Sequence, residues 1–202
     1  VTDQITRYQV SRSGTPHIPH ITIGNGFNVD SVSVRNLVPS REETIHLLCV
    51  ANINRWHGLD RLIEGLGRYH GPAGVILHIA GDGPELPALK KLIDRLDITG
   101  QIIFHGVTTG KDLDTLFDTC QIAIGSLGLH GIGLTESSIL KAREYCARGI
   151  PYLSASADPD FPADFPYIFR IAANDTPVDV EKVVEFSHRV SKDLNHPRTM
   201  RK

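Results

Sequence analysis

Ile122-Ala123-Ile124, then Gly131-Ile132-Gly133-Leu134-Thr135-Glu136-Ser137-Ser138-Ile139-Leu140-Lys141-Ala142-Arg143-Glu144-Tyr145-Cys146-Ala147-Arg148-Gly149-Ile150-Pro151, then Tyr152-Leu153, is the stretch on which the fold turns. The first run is apolar on consecutive positions, as a strand buried on both faces should be. A glycine-rich loop follows. A helix is predicted from about Ser138 to Arg148, with Ser138 as a reasonable N-cap. Gly149 is well placed to end it, and Pro151 prevents its continuation. A second short apolar run comes next. Strand, loop, helix and strand in this order form one unit of a parallel sheet.

The same unit repeats outward. Further strands are predicted at His46-Leu47-Leu48-Cys49-Val50, Val75 to Ala80, Ile102-Ile103-Phe104 and Tyr167-Ile168-Phe169. Between them Leu59, Leu62, Ile63 and Leu66 follow helical spacing, as do Leu89, Leu92, Ile93 and Leu96, while Leu113, Leu116 and Phe117 begin a third stripe. Another helix is predicted from Val178 to about Leu194, opening after Thr176-Pro177 with Asp179 and Glu181 in its first turn. The expected fold is α/β, a doubly wound, Rossmann-like parallel sheet over residues 46–202. In such sheets ligands bind beyond the carboxyl ends of the strands. Residues 1–45 read differently. A polar helical segment (about Thr2 to Arg12) precedes Gly14, Pro16, Pro19, Gly24 and Gly26, and a loop is expected at Pro39 to Glu43. The chain starts at Val1, holds its sole methionine at Met200 and stops in a charged run with no packed ending in view. It reads as a piece of a longer protein.

Composition removes several classes of function. The 202 residues carry a formal charge of -2 without a basic cluster, so no nucleic-acid partner is expected. No stretch approaches the roughly 20 apolar residues of a membrane span, and the polar start lacks the apolar core of a signal peptide. Cys49, Cys120 and Cys146 lie far apart in apolar surroundings and read as buried, reduced thiols. Ten histidines are scattered without ligand spacing, so no metal is inferred. No Ser-His-Asp order or nucleophile elbow points to acyl transfer. Gly81-Asp82-Gly83 lacks the third glycine of a dinucleotide fingerprint, since Leu86 stands there, and a turn into the next helix is the plain reading. Trp56 reads as a core anchor or as part of a cleft floor, and Ser156 to Pro166 reads as an exposed loop.

Chemistry concentrates around Glu136 and Glu144. Glu136 falls in the loop ahead of the helix and Glu144 within it, so both can reach one cleft. Carboxylates there accept hydrogen bonds from vicinal hydroxyls of a ribose or a sugar. Unpaired N–H groups near Ser138 to Leu140 can receive a phosphate, and Lys141 adds a cation one turn in. The same spacing also fits an exposed helix with ordinary charges. Paired carboxylates can hydrolyse glycosides too. The Lys and Ser neighbours, and the lack of aromatic sugar platforms nearby, argue against that use.

The stretch Glu136 to Pro151 resembles the Glu-x7-Glu signature of GT-B glycosyltransferases of the family 4 type, with Gly149-Ile150-Pro151 similar to the Gly-x-Pro that follows it. Ser138, Lys141, Glu144 and Tyr145 resemble a bacterial polysaccharide-transferase subgroup. Gly24 to Asp30 is similar to the interdomain Asn-Gly-Ile-Asp segment, Trp56 to Ile63 to the start of the first helix, and Gly81 to Pro84 and Ile103 to Gly106 to later landmarks. The resemblance covers roughly residues 20–202.

It implies the C-terminal, donor-binding half of a GT-B enzyme, with residues 1–45 an interdomain segment from a missing N-terminal domain. It implies retaining transfer of a hexose-like sugar from a UDP- or GDP-linked donor, with no metal or other cofactor. The acceptor, a glycan or a lipid-linked molecule, would come by way of the missing domain, and the fragment alone would be inactive. Glu136 would contact the donor sugar as the catalytic-site carboxylate, and Glu144 the ribose. Gly131, Gly133 and Leu134 would lie near sugar and diphosphate, with Ser138 and Lys141 at the phosphates. Gly106 and Val107 would read the base. The family's usual Arg and Lys before the first helix are replaced here by Asn52 and His57, with Arg55 near but out of register. That departure also fits a non-catalytic nucleotide-sugar-binding module. The resemblance further implies capsular or lipopolysaccharide synthesis in the bacterial cytoplasm, with peripheral contact at the inner face of the membrane.

Overall fold

The computed structural model describes residues 2–15, 17–36 and 44–201; the loop expected at Pro39 to Glu43 lies outside them. Six parallel strands form one sheet: β1 (Thr44–Val50), β2 (Gly74–Ala80), β3 (Ile102–Gly106), β4 (Ile122–Ile124), β5 (Tyr152–Ser154) and β6 (Ile168–Arg170). Their spatial order is β3-β2-β1-β4-β5-β6. The chain builds outward from β1 to β3, returns through a helix, and builds outward again from β4. The reversal leaves a crevice between β1 and β4 at the carboxyl ends of the strands, where doubly wound sheets hold their ligands.

The helices are α1 (Asp3–Arg12), α2 (Leu59–Arg68), α3 (Leu86–Leu96), α4 (Gly110–Thr119), α5 (Leu140–Arg148), α6 (Val180–Ser191) and α7 (His196–Arg201). The stripe read in α2 faces inward. Leu59, Leu62, Ile63 and Leu66 are all buried in one core with Leu47, Leu77, Ile79, Leu89 and Ile93. Each such side chain contributes about 1.5–3 kcal/mol through removal of apolar surface from water. The three cysteines are free and buried, as their surroundings predicted.

Two expectations are corrected. The helix that opens the deciding stretch starts at Leu140, with Ile139 in the N-cap place and no side chain capping it. Ser138 is spent elsewhere: its Oγ accepts from Asn25 N–H at 3.1 Å and from Arg143 Nη2 at 3.0 Å. The charged C-terminal run, read as unpacked, contains α7. His196, Pro197 and Met200 bury one side of that helix, and the charged residues that dominate the sequence there fall on its other sides. Gly149, at φ 76°, ends α5 so close to α7 that a Cβ would lie 2.3 Å from Pro197 Cα.

The carboxyl end of α5 is tied to two other segments. Arg201 donates to the carbonyls of Val29 (2.8 Å), Val32 (2.9 Å) and Ala147 (3.3 Å). Arg35 N–H donates to Arg148 O at 2.9 Å.

Three imidazoles run diagonally across β1, β2 and β3. His46 Nδ1 lies 2.8 Å from His78 Nε2, and His78 Nδ1 lies 2.9 Å from His105 Nε2. His105, read equally as solvent-facing, is exposed yet hydrogen-bonded. Burial, then His46 and His105, lower the His78 pKa to about 4.

Candidate functional site

The crevice between β1 and β4 is closed at its base by backbone. After β1 the chain makes a 3-10 turn at Arg55–His57 and reverses at Gly58, φ 62°. Leu127 N–H donates to His57 O at 3.0 Å, and Gly128 N–H to Trp56 O at 3.2 Å, joining the loops that follow the two strands. A Cβ on Gly58 would lie 2.6 Å from Gly128 N, so only glycine lets the loops meet. Arg61 locks the same junction: its guanidinium donates to the carbonyls of Leu127, Ala172 (3.0 Å) and Thr176 (2.8 Å). This arginine is fully used in holding backbone.

Asn52 and Arg55 are exposed on the first loop, and His57 is buried. Asn54 N–H donates to His57 Nδ1 at 3.0 Å, which leaves the neutral ring's proton on Nε2. Burial, then the charge of Lys141, push the His57 pKa down to about 4, so the imidazole is uncharged near neutral pH. His57 therefore supplies a donor rather than the fixed cation usual in the resembled family.

Lys141 occupies the first turn of α5. Its Nζ is buried and has no hydrogen-bond acceptor among the described residues. Burial lowers its pKa, with the Cys49 thiol opposing. An ammonium held dry without a partner is costly, and buried polar atoms are rarely left so. Its position on the uncapped N-terminal turn of α5, beside free N–H groups, makes the local field positive. The combination suits an anion.

Glu136 lies on the loop between β4 and α5, half-buried, where it forms an isolated parallel bridge with Ala157. Its side chain lines a cleft of about 420 Å³ with Ser154, Ser156, Phe161 and Arg170. That cleft is large enough for a monosaccharide. Glu144 is a turn into α5, and one carboxylate oxygen accepts from Arg148 Nε at 2.9 Å. The structure does not bring Glu144, Lys141 or His57 into the wall of the Glu136 cleft. Gly131 and Gly133 are exposed around the 3-10 turn Leu129–Ile132, with Gly133 at φ 77° and Leu134 half-buried. Gly106 ends β3 at the outer edge of the sheet, and Val107, which follows it, is exposed. Trp56 is 41% exposed, which removes it from the core and leaves it beside the crevice.

Several residues that shape this region carried no local signal. Gln4 of α1 accepts from the N–H groups of Thr135 (3.0 Å) and Glu136 (3.1 Å) and donates to Gly133 O. The segment Ser156 to Pro166, read as an exposed loop, is partly interior. Asp158 is buried in an ion pair with Arg143, which also pairs with Asp160, and Phe161 and Phe165 pack against the core. Its Asp-Pro composition resembles that of a solvated turn, but Arg143 supplies the counter-charge that allows Asp158 inside. A lone arginine seven residues beyond Glu136 was the only hint.

The family model described as "Glycosyl transferases group 1" matches residues 34–162. The chain belongs to that family: it is a group 1 glycosyl transferase chain with the Rossmann-like sheet of the GT-B fold. No curated protein matches it in sequence. Among solved structures it is similar to Anabaena Alr3699/HepE in complex with UDP, with 18% identity, TM-score 0.57, and coverage of 79% of this chain and 42% of that one. WaaG, a glycosyltransferase involved in lipopolysaccharide biosynthesis, gives 16%, 0.60, 80% and 42%. Sucrose-phosphate synthase from Thermosynechococcus elongatus gives 17%, 0.65, 100% and 51%. The chain thus spans about half the length of these structures or less. Among the described residues no helix is long and apolar enough to cross a membrane.

Proposed function

We propose that this chain binds the donor of a retaining glycosyltransferase, a nucleotide diphospho-sugar linked to UDP or GDP. The observation that carries the reading is the buried Lys141 Nζ, without a hydrogen-bond partner among the described residues, on the uncapped first turn of α5 beside the β1/β4 crevice. The central electrostatic task in such a transfer is to stabilise the departing diphosphate. Helix N–H groups and Lys141 supply that charge without a metal. Glu136 orients the hexose in its cleft, and the free oxygen of Glu144 takes ribose hydroxyls. Gly131, Gly133 and Leu134 border sugar and diphosphate, while Ser138 holds the loop in place. Arg55 approaches the phosphates from the first loop, and Gly106 and Val107 meet the base.

The acceptor, a glycan or lipid-linked molecule, enters through a further domain to which residues 1–45 lead, and the isolated chain transfers no sugar. The cellular task that fits is capsular or lipopolysaccharide assembly in the cytoplasm, at the inner face of a bacterial membrane. A second reading is a non-catalytic nucleotide-sugar-binding module, favoured by the uncharged His57 where the family keeps a fixed cation.

Calorimetric titration with UDP, GDP and ADP tests the proposal, repeated on Glu144→Ala. One nucleotide should bind saturably and weaken at least tenfold in the variant, the size of about one charge-assisted hydrogen bond. Absence of binding by all three would refute it. Restoring Arg at 52 and Lys at 57 separates the two readings: a large gain in affinity favours the module, and little change favours the enzyme.

A further inference from the structure

Lys141 and His57 are two bases placed together in the interior without a counter-ion among the described residues. The groups that act on Lys141 are its own burial and the thiol of Cys49 on β1. Those on His57 are burial, Lys141 and the Asn54 backbone. On α5 the nearby carboxylate, Glu144, is engaged by Arg148, and Tyr145 donates its hydroxyl to Ile124 O. Among the described residues no carboxylate is therefore in place to hold positive charge on this pair.

The His57 ring is nonetheless built to exist in two states. Its Nδ1 accepts from Asn54 N–H at 3.0 Å, and the Asn54 carbonyl lies 3.2 Å from the same nitrogen. A ring that gains a proton on Nδ1 gives up the bond from Asn54 N–H and donates to that carbonyl instead, and its Nε2–H remains a donor throughout. Permanently charged residues here would repel one another in the empty crevice. Titratable ones avoid that cost until an anion arrives.

We propose that His57 and Lys141 form one proton-recruiting anion receptor, which takes a proton from solvent as the diphosphate of a nucleotide-sugar enters. This rests on the donor-binding reading above. The proton comes from water or buffer, and the bound dianion raises the affinity of both bases for it. By linkage, a complex that binds more protons than its parts weakens as pH rises. Burial lowers both pKa values, that of His57 to about 4, so proton uptake on His57 is expected above that value.

The probe is the tightest binder among UDP-, GDP- and ADP-glucose, whose diphosphates do not themselves titrate near neutrality. Calorimetry in buffers of different ionisation enthalpy counts the protons, and Kd is followed from about pH 6 to 9. The expected result is uptake of up to one proton and a Kd that weakens by up to about tenfold per pH unit over part of that range. Lys141→Arg, which cannot lose its charge, should keep binding and take up less. Binding without proton exchange and with a flat Kd would overturn the receptor while leaving the donor reading intact. Failure of all three sugar nucleotides to bind the parent protein would remove both.

Discussion

Replacing Lys141 by Met should make the protein more stable and its nucleotide binding worse. Met keeps the stem and deletes the amino group, whose Nζ is enclosed with no acceptor among the described residues. An unsatisfied buried polar group costs about 1–3 kcal/mol, and a charged one more. Relief of at least that amount is expected, which for a domain of this size raises Tm by about 2–12 °C. Because the folded pKa of Lys141 is lowered, the unfolded chain binds more protons between that value and 10.5. The penalty is therefore complete below the folded pKa and disappears as pH rises to the unfolded one, so parent stability climbs across this window. Lys141→Met should flatten the climb. Against a nucleoside diphosphate the lost charge-assisted bond is worth about 1.5–3 kcal/mol, or about 10- to 150-fold in Kd. Thermal unfolding at several pH values and calorimetric titration read both effects. A variant that is less stable than the parent, or that binds the nucleotide equally well, would refute the reasoning.

Gly58→Ala should destabilise the fold by more than about 1 kcal/mol and weaken nucleotide binding, because its Cβ would lie 2.6 Å from Gly128 N and separate the two loops of the crevice; denaturant titration gives the first effect and calorimetry the second. Arg143→Met leaves Asp158 buried without its partner, and a loss of about 3–5 kcal/mol is expected in urea unfolding. His78 has its folded pKa lowered to about 4 from 6.5, so the unfolded state binds the extra proton and stability should fall as pH drops through that interval. His78→Leu should blunt this acid loss in pH-dependent thermal melts.

Every strand and every helix of the sheet domain before α7 was legible: the strands as short apolar runs, α2, α3 and α4 as 3.6-residue stripes, and α5 and α6 by the residues that punctuate their ends. The stripe at Leu59, Leu62, Ile63 and Leu66 lies where periodicity put it. That the sheet is parallel, with ligands expected beyond the carboxyl ends of its strands, followed from alternation; the strand order that places the crevice did not. What the sequence concealed depends on partners distant in the chain. Ser138 looks like a cap, and its hydroxyl is drawn off by Asn25 and Arg143. Asp158 looks solvated until Arg143 is set beside it. Gln4 contacts Gly133, Thr135 and Glu136 across about 130 positions, which no local pattern encodes. In α7 three apolar or aromatic residues dispersed among cations left too weak a stripe to read. Lys141 was legible as a residue of the site, but its isolation was not, because a missing acceptor leaves no trace in a sequence.

The tethers at the far end of α5 give that helix a mechanical character. Nine residues of α-helix form a rod about 13 Å long. One tip carries Lys141. The other is gripped by Arg201 and by the backbone of Arg35, in the segment that runs up to the first strand. Residues 29–35 and the crevice are therefore fastened to opposite ends of one short, stiff element.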